Sequence, residues 1–183
     1  MSKRSPWNLP NMLSLSRVFL VPVILVIFEV RAQFGFVEGI SIGDMLAGLV
    51  FVVASLTDAA DGYIARKRHL VTNMGKFIDP IADKILVIAV LITLVELQRF
   101  PAWMVVVIIS REFIVSGLRM VAASEGVVIA ASKGGKIKTV TQIIGIIMLI
   151  LNIPGAMAVM WAAVILTVWS GIDYVVKGAD LLS

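Results

Sequence analysis

Asp58-Ala-Ala-Asp61-Gly62-Tyr-Ile-Ala65-Arg66, followed after eight residues by Gly75-Lys-Phe-Ile-Asp79-Pro80-Ile-Ala-Asp83, decides how the rest of the chain is read. Four aspartates stand here at the rim of one of the most apolar parts of the sequence. Carboxylates are costly in such surroundings, and an ionisable residue inside a membrane segment marks a functional site by default. On a helix, Asp58 and Asp61 share one face, which Ala65 and Arg66 continue. Asp79 and Asp83, four apart, do the same on the next helix. Two helices that each present a carboxylate pair form an all-oxygen ligand set, the chemistry that Mg²⁺, Mn²⁺ or Ca²⁺ requires. The plainer reading pairs the acids with Arg66, Lys67, Arg68, Lys76 and Lys84 at a solvated membrane surface. The glycines and the register argue against it.

Composition narrows the class. Of 183 residues, 60% are hydrophobic and 15% charged, whereas a soluble domain is about half apolar and about a quarter charged. Cysteine is absent, which excludes disulfides, thiolate metal sites and cysteine nucleophiles. The single histidine, His69, lies in the basic run Arg66-Lys-Arg-His69 and reads as a solvated loop residue. The net charge of +4 points to cations left on the cytoplasmic side of a membrane, not to nucleic acid. Met1-Ser-Lys-Arg before an apolar run imitates a signal peptide, but further spans follow, so an uncleaved first helix is expected.

Six segments are long and apolar enough to cross a bilayer: 11–29, 43–65, 77–97, 101–122, 136–152 and 156–176. Asn152-Ile-Pro154-Gly155 divides the uncharged run Thr139–Ile172, which at 34 residues is too long for one span and right for a tight helical hairpin. The expected fold is therefore all-α: one polytopic integral membrane domain, residues 1–183, with six transmembrane helices. With the N-terminus inside, only Arg31 and Arg99 of the 16 lysines and arginines fall in outer loops, which places both termini in the cytoplasm. Arg17, Asp58, Asp61, Asp79, Asp83, Lys84, Arg119, Lys136 and Lys138 then gather at the inner ends of the helices, with Arg111 and Glu112 deeper. That convergence predicts a polar cavity open to the cytoplasmic side of the cell membrane.

The acids suit two divalent cations clamping a phosphoryl transfer: Asp58 and Asp79 bridge, Asp61 completes one ion and Asp83 the other. The pattern D-x2-D-G-x2-A-R-x8-G-x3-D-x3-D resembles the signature of the CDP-alcohol phosphatidyltransferase family, integral membrane enzymes of phospholipid synthesis. The resemblance implies the same metal assignment with Mg²⁺ or Mn²⁺, gives Asp83 a second role as general base on the acceptor hydroxyl, and implies a homodimer. Pro80 is tolerated if it lies near a helix start. Gly62 and Gly75 lack a β-carbon and Ala65 has a small one, so the donor's base or pyrophosphate can approach the backbone; helix packing is the competing explanation. Asp61 also borders this donor site. Arg66 suits a donor phosphate by bidentate hydrogen bonding, and Thr72 offers a hydroxyl to the pyrophosphate. Asn11, after Asn8-Leu-Pro10, either caps the first helix or helps its free amides hold a phosphate.

The acceptor site falls on Ser110-Arg111-Glu112, Arg119 and the lysines around Lys136 and Lys138. Arg111 and Arg119 are eight residues apart, about 80° around a helix, so both can face one cavity, although Glu112 or Asp173 could neutralise Arg111. Lys133 to Lys138 could instead be anchors to anionic lipid. A site this basic predicts an acceptor with its own phosphate. The stretches Asn8–Arg17 and Arg111–Gln142 resemble the family members that use glycerol 3-phosphate, which implies phosphatidyl transfer from CDP-diacylglycerol to that acceptor. Rivals are another acceptor, phosphatidylglycerol or inositol phosphate, and, outside the family, a divalent-cation transporter. The apolar outer halves of helices 2 and 3 argue against a transport path.

Overall fold

A computed structural model describes the backbone of residues 9–37, 39–67, 73–124 and 133–182, and the side chains of residues 16–37, 39–57, 84–123 and 134–176. The described chain is helical almost throughout: α1 (Leu9–Glu29), α2 (Ile42–Lys67), α3 (Asn73–Glu96), α4 (Ala102–Ser124), α5 (Lys133–Ile150) and α6 (Ala156–Leu182). Each coincides with one of the six expected segments. The connection between α1 and α2 holds more structure than its length suggested: a 3-10 turn, Arg31–Phe34, and a hairpin of β1 (Phe36–Val37) and β2 (Ile40–Ser41). Its strands pair Phe36 with Ser41 and Val37 with Ile40, and Gly39 turns the corner at φ +84°. Strands of two residues carry no readable alternation.

Several helix ends lie beyond their expected positions. Pro10 sits in the first turn of α1, where its fixed φ and missing amide are compatible with helix. Asn11 is therefore inside the helix and not its cap. α3 begins at Asn73 and runs unbroken past Pro80, so that proline is interior, not near the start. α1 likewise continues through Pro22.

The helices gather into two compact units, Met1–Thr93 and Leu94–Ser183. In the first, α1 packs on α2, burying Ile24 and Phe28 with Ala47, Phe51 and Ala54. In the second, α6 packs on both α4 and α5. Met104 and Ile108 of α4, Ile146 and Ile150 of α5, and Met160 and Ala163 of α6 form its core. Glycine sets the closeness of the α5–α6 hairpin. A β-carbon on Gly145 would stand 2.5 Å from Met160 Sδ, and one on Gly134 would stand 2.9 Å from the Trp169 ring.

Arg31 and Arg99, the two cations expected in outer loops, each close a helix end. The last carbonyls of a helix lack amide partners and carry its negative dipole end. Arg31 Nη1 donates to the Phe28 carbonyl at the end of α1 (3.0 Å), and Arg99 Nη1 to the Ile150 carbonyl at the end of α5 (2.7 Å). Hydroxyls within the apolar helices are satisfied locally, each donating to the carbonyl one turn back: Ser55 to Phe51, Thr93 to Ala89 and Thr167 to Ala163.

Two glycines separate crowding from propensity. A β-carbon on Gly43 would lie 2.5 Å from Arg31 Cα, whereas one on Gly117, inside α4, would meet nothing within 4 Å. Gly43→Ala should therefore lower stability by about 1–3 kcal/mol. Gly117→Ala should raise it by up to about 1 kcal/mol. Thermal unfolding of the detergent-solubilised variants checks both signs.

Candidate active site

Asp58, Asp61, Gly62, Ala65 and Arg66 all fall in α2, and Gly75, Asp79 and Asp83 in α3, with Gly75 in its first turn. The backbone is thus continuous helix through both acid pairs, as their spacing requires. The side chains of these residues and of Asn11 lie outside the described ones, as does Thr72 altogether. Among the described side chains no three carboxylates or imidazoles cluster. The donor set fits a hard divalent cation, since the motif supplies four aspartates and no softer ligand.

The second unit holds a polar node that is described in full. Arg111 of α4 donates from Nη1 to Glu112 Oε1 (3.2 Å) and from Nη2 to Ser170 Oγ of α6 (3.0 Å). The ammonium of Lys138, on α5, pairs with the same Glu112 oxygen, and Lys138 is only 4% exposed. One carboxylate thus stands between two cations and links α4 with α5. The guanidinium links α4 with α6. The stem of Arg111 lies against the α6 backbone: a β-carbon on Gly171 would stand 2.9 Å from Arg111 Cγ. Arg111 Nε is buried without a hydrogen bond. Of the two partners considered for Arg111 in sequence, the structure places Glu112 beside it.

Arg119, two turns further along α4, also turns to α6. Its Nε donates to the Tyr174 hydroxyl (2.7 Å), and its guanidinium carbon lies 5.1 Å from the centre of the Tyr174 ring. Its two terminal nitrogens make no hydrogen bond among the described residues, and the residue is exposed. Arg111 and Arg119 therefore meet α6 at Ser170 and Tyr174, one helical turn apart, in keeping with the shared face expected of them. Lys136 is exposed and stands apart from the hydrogen bonds of the node.

Four contributors escaped the sequence reading. Ser170, Gly171 and Tyr174 sit in a helix whose length and apolarity suggest a plain span. A serine and a tyrosine four residues apart were the available signal. Gln142, one turn beyond Lys138 on α5, is 5% exposed, and its Oε1 has no hydrogen-bond partner. The remaining cavity of note, about 300 Å³, lies at the other end of α5, lined by Gln98, Arg99, Leu149, Asn152, Ile153 and Met157. It contains no acid, and its arginine is engaged with the α5 terminus.

The electrostatics rank the cations. Arg111 and Lys138 share the Glu112 charge, so their local excess is one positive charge. Among the described residues Arg119 meets only the Tyr174 phenol, which leaves its two terminal nitrogens as an open fork of the kind that binds phosphate in bidentate fashion. The three cations differ in exposure: Arg119 is exposed, Arg111 partly buried and Lys138 buried.

Residues 7–169 match the family model described as CDP-alcohol phosphatidyltransferase. A Bacillus subtilis protein named CDP-diacylglycerol–glycerol-3-phosphate 3-phosphatidyltransferase is 46% identical over 96% of this chain and 97% of its own length. A Rickettsia typhi protein of the same name is 39% identical over 91% of this chain and 94% of its own. A Mycobacterium tuberculosis protein named probable phosphatidylglycerophosphate synthase is 41% identical over 93% of this chain and 81% of its own.

Removing the shared carboxylate tests the node. Glu112→Ala leaves two neighbouring cations uncompensated and should cost about 2–4 kcal/mol. Glu112→Asp, which keeps the charge, should cost less. Chemical unfolding in detergent micelles measures the difference.

Proposed function

Because the chain belongs to the CDP-alcohol phosphatidyltransferase family, we propose that it transfers the phosphatidyl group of CDP-diacylglycerol to glycerol 3-phosphate, forming phosphatidylglycerophosphate and CMP. Near full-length identity to bacterial enzymes named for that reaction carries the reading. The open guanidinium fork of Arg119, beside the Arg111–Glu112–Lys138 node, supports an acceptor that brings its own phosphate.

A hydroxyl of glycerol 3-phosphate attacks the phosphorus bonded to diacylglycerol, the bond from that phosphorus to CMP breaks, and the hydroxyl proton passes to the Asp83 carboxylate. Asp58, Asp61, Asp79 and Asp83 would hold two divalent cations, Mg²⁺ or Mn²⁺. Bound there, such ions supply the positive charge that stabilises the pyrophosphate and the departing CMP. Gly62, Ala65 and Gly75 leave room for the donor's nucleotide, while Arg66, Thr72 and Asn11 bind its phosphates. Arg111, Arg119, Lys136 and Lys138 attract and orient the acceptor phosphate.

The enzyme works in the cell membrane as one catalytic domain, residues 1–183, its helices crossing the bilayer with both termini and the active site on the cytoplasmic side. Two surface features support this. Large apolar side chains are exposed along the helices, among them Phe19, Val23 and Val26 of α1, Leu49, Val53 and Leu56 of α2, and Ile165, Trp169 and Ile172 of α6. Such stripes suit a lipid surface. Among the described residues, Ala156–Val176 of α6 is long and apolar enough to cross a membrane. A homodimer is the assembly expected of the family.

CMP release from purified enzyme, CDP-diacylglycerol and glycerol 3-phosphate tests the reaction; none should form with glycerol, inositol or serine as acceptor. Asp58→Asn and Asp79→Asn should abolish turnover while the protein still inserts into membranes. Arg119→Ala should raise KM for glycerol 3-phosphate about tenfold or more, as loss of a charged hydrogen bond does. Wild-type rates in either aspartate variant would refute the metal assignment.

A further inference from the structure

Resting on the acceptor-site reading above, we infer that Ser170, Gly171 and Tyr174 of α6 are positioning residues that hold Arg111 and Arg119 in the geometry needed to bind the acceptor phosphate. They lie beyond residue 169, where the family match ends.

Each meets an arginine in a different way. The Ser170 hydroxyl donates its proton to the Thr167 carbonyl (3.3 Å), so its lone pairs are turned toward Arg111 Nη2, which donates to it at 3.0 Å. Ser170 is 1% exposed, so this arrangement is shielded from competing water. Gly171 provides the groove for the Arg111 stem, and a single added methyl would displace that side chain close to its root, not at its flexible tip. Tyr174 acts on Arg119 from two directions. Its hydroxyl accepts from Nε at 2.7 Å and its ring lies under the guanidinium at 5.1 Å.

The consequence is a defined orientation. With Nε engaged by the phenol and the guanidinium carbon over the ring, Arg119 is held at two points while its terminal nitrogens make no hydrogen bond among the described residues. A guanidinium held in this way loses little side-chain entropy on meeting a phosphate. An unheld arginine at an exposed helix end must be ordered at the moment of binding. The three α6 residues touch neither phosphate nor reacting atoms in this scheme; they act through the arginines.

Steady-state kinetics on the full-length enzyme in CDP-diacylglycerol mixed micelles, with CMP release as readout, tests this. Tyr174→Phe, which keeps the ring and removes the hydroxyl, should raise KM for glycerol 3-phosphate about five- to tenfold. It should leave kcat within about twofold and KM for CDP-diacylglycerol unchanged. Ser170→Ala and Gly171→Ala should do the same through Arg111. Tyr174→Phe should have no further effect in an Arg119→Ala background, since the hydroxyl then has nothing to orient. Should Gly171→Ala fail to fold, Tyr174→Phe and Ser170→Ala, which only delete an oxygen, still decide. If Arg119→Ala raises KM for glycerol 3-phosphate and Tyr174→Phe does not, the positioning role is overturned while the acceptor reading stands. Additive effects in the double variant, or equal losses toward both substrates, also overturn it. If Arg111→Ala and Arg119→Ala themselves leave KM for glycerol 3-phosphate unchanged, the acceptor reading fails and the positioning role with it.

Discussion

A guanidinium and an ammonium can sit together among packed helices only while a carboxylate stands between them. Glu112 is that carboxylate, and the second unit depends on it. Apolar packing of α4, α5 and α6 is non-directional: Ile108, Ile146 and Ala163 would bury nearly as well after a small slide or rotation. The ion pairs allow no such freedom. Lys138 reaches Glu112 from α5, and Arg111 reaches Ser170 on α6 past the bare backbone of Gly171, so three helices are registered against one another at one polar point. That point lies in the second turn of α5 and near the middle of α4 and α6. The cations that structure the unit are the same ones proposed to meet the acceptor phosphate.

Two helix ends are settled by simpler means: Arg31 in the first unit and Arg99 in the second each donate to a helix-terminal carbonyl. Arg31 and Arg99 departed from the charge asymmetry in the sequence. In the structure each neutralises a partial negative charge that apolar surroundings would leave unmet. The hairpin from α5 to α6 closes through Asn152 at φ +53° and Gly155 at φ +86°.

Helix positions were legible because apolar runs of bilayer length separated by Pro, Gly and Asn admit few alternatives. Helix ends were less so. The first helix was expected to start after Pro10 and the third shortly before Pro80, whereas Pro10 lies in the first turn of α1 and Pro80 well inside α3. A missing amide costs one hydrogen bond, and a long helix can absorb that. The acid motif was legible from spacing alone, and the helical backbone through Asp58–Asp61 and Asp79–Asp83 agrees with it. In the second unit Arg111, Arg119 and Lys138 were singled out from the sequence, and Glu112 was weighed only as a partner neutralising Arg111. Its bond to Lys138 depends on α4 and α5 meeting, which no local pattern encodes. Ser170 and Tyr174 were lost for the same reason: their meaning lies in arginines more than fifty residues away.

Charge also bears on which acceptors such a node would tolerate. Arg111, Arg119 and Lys138 bring three positive charges and Glu112 one negative, leaving two in excess. A phosphate monoester carries about −1.5 to −2 near neutral pH, which balances that excess. An uncharged polyol would have to enter the same site and leave the cations as it found them, gaining no charge-assisted bond while displacing the water around Arg119. A second carboxylate near Glu112 would remove the distinction by filling the site from within. If this node receives the acceptor as proposed, preference for a phosphorylated one rests on its being under-neutralised, with Glu112 standing between Arg111 and Lys138 and no carboxylate bonded to Arg119 among the described residues.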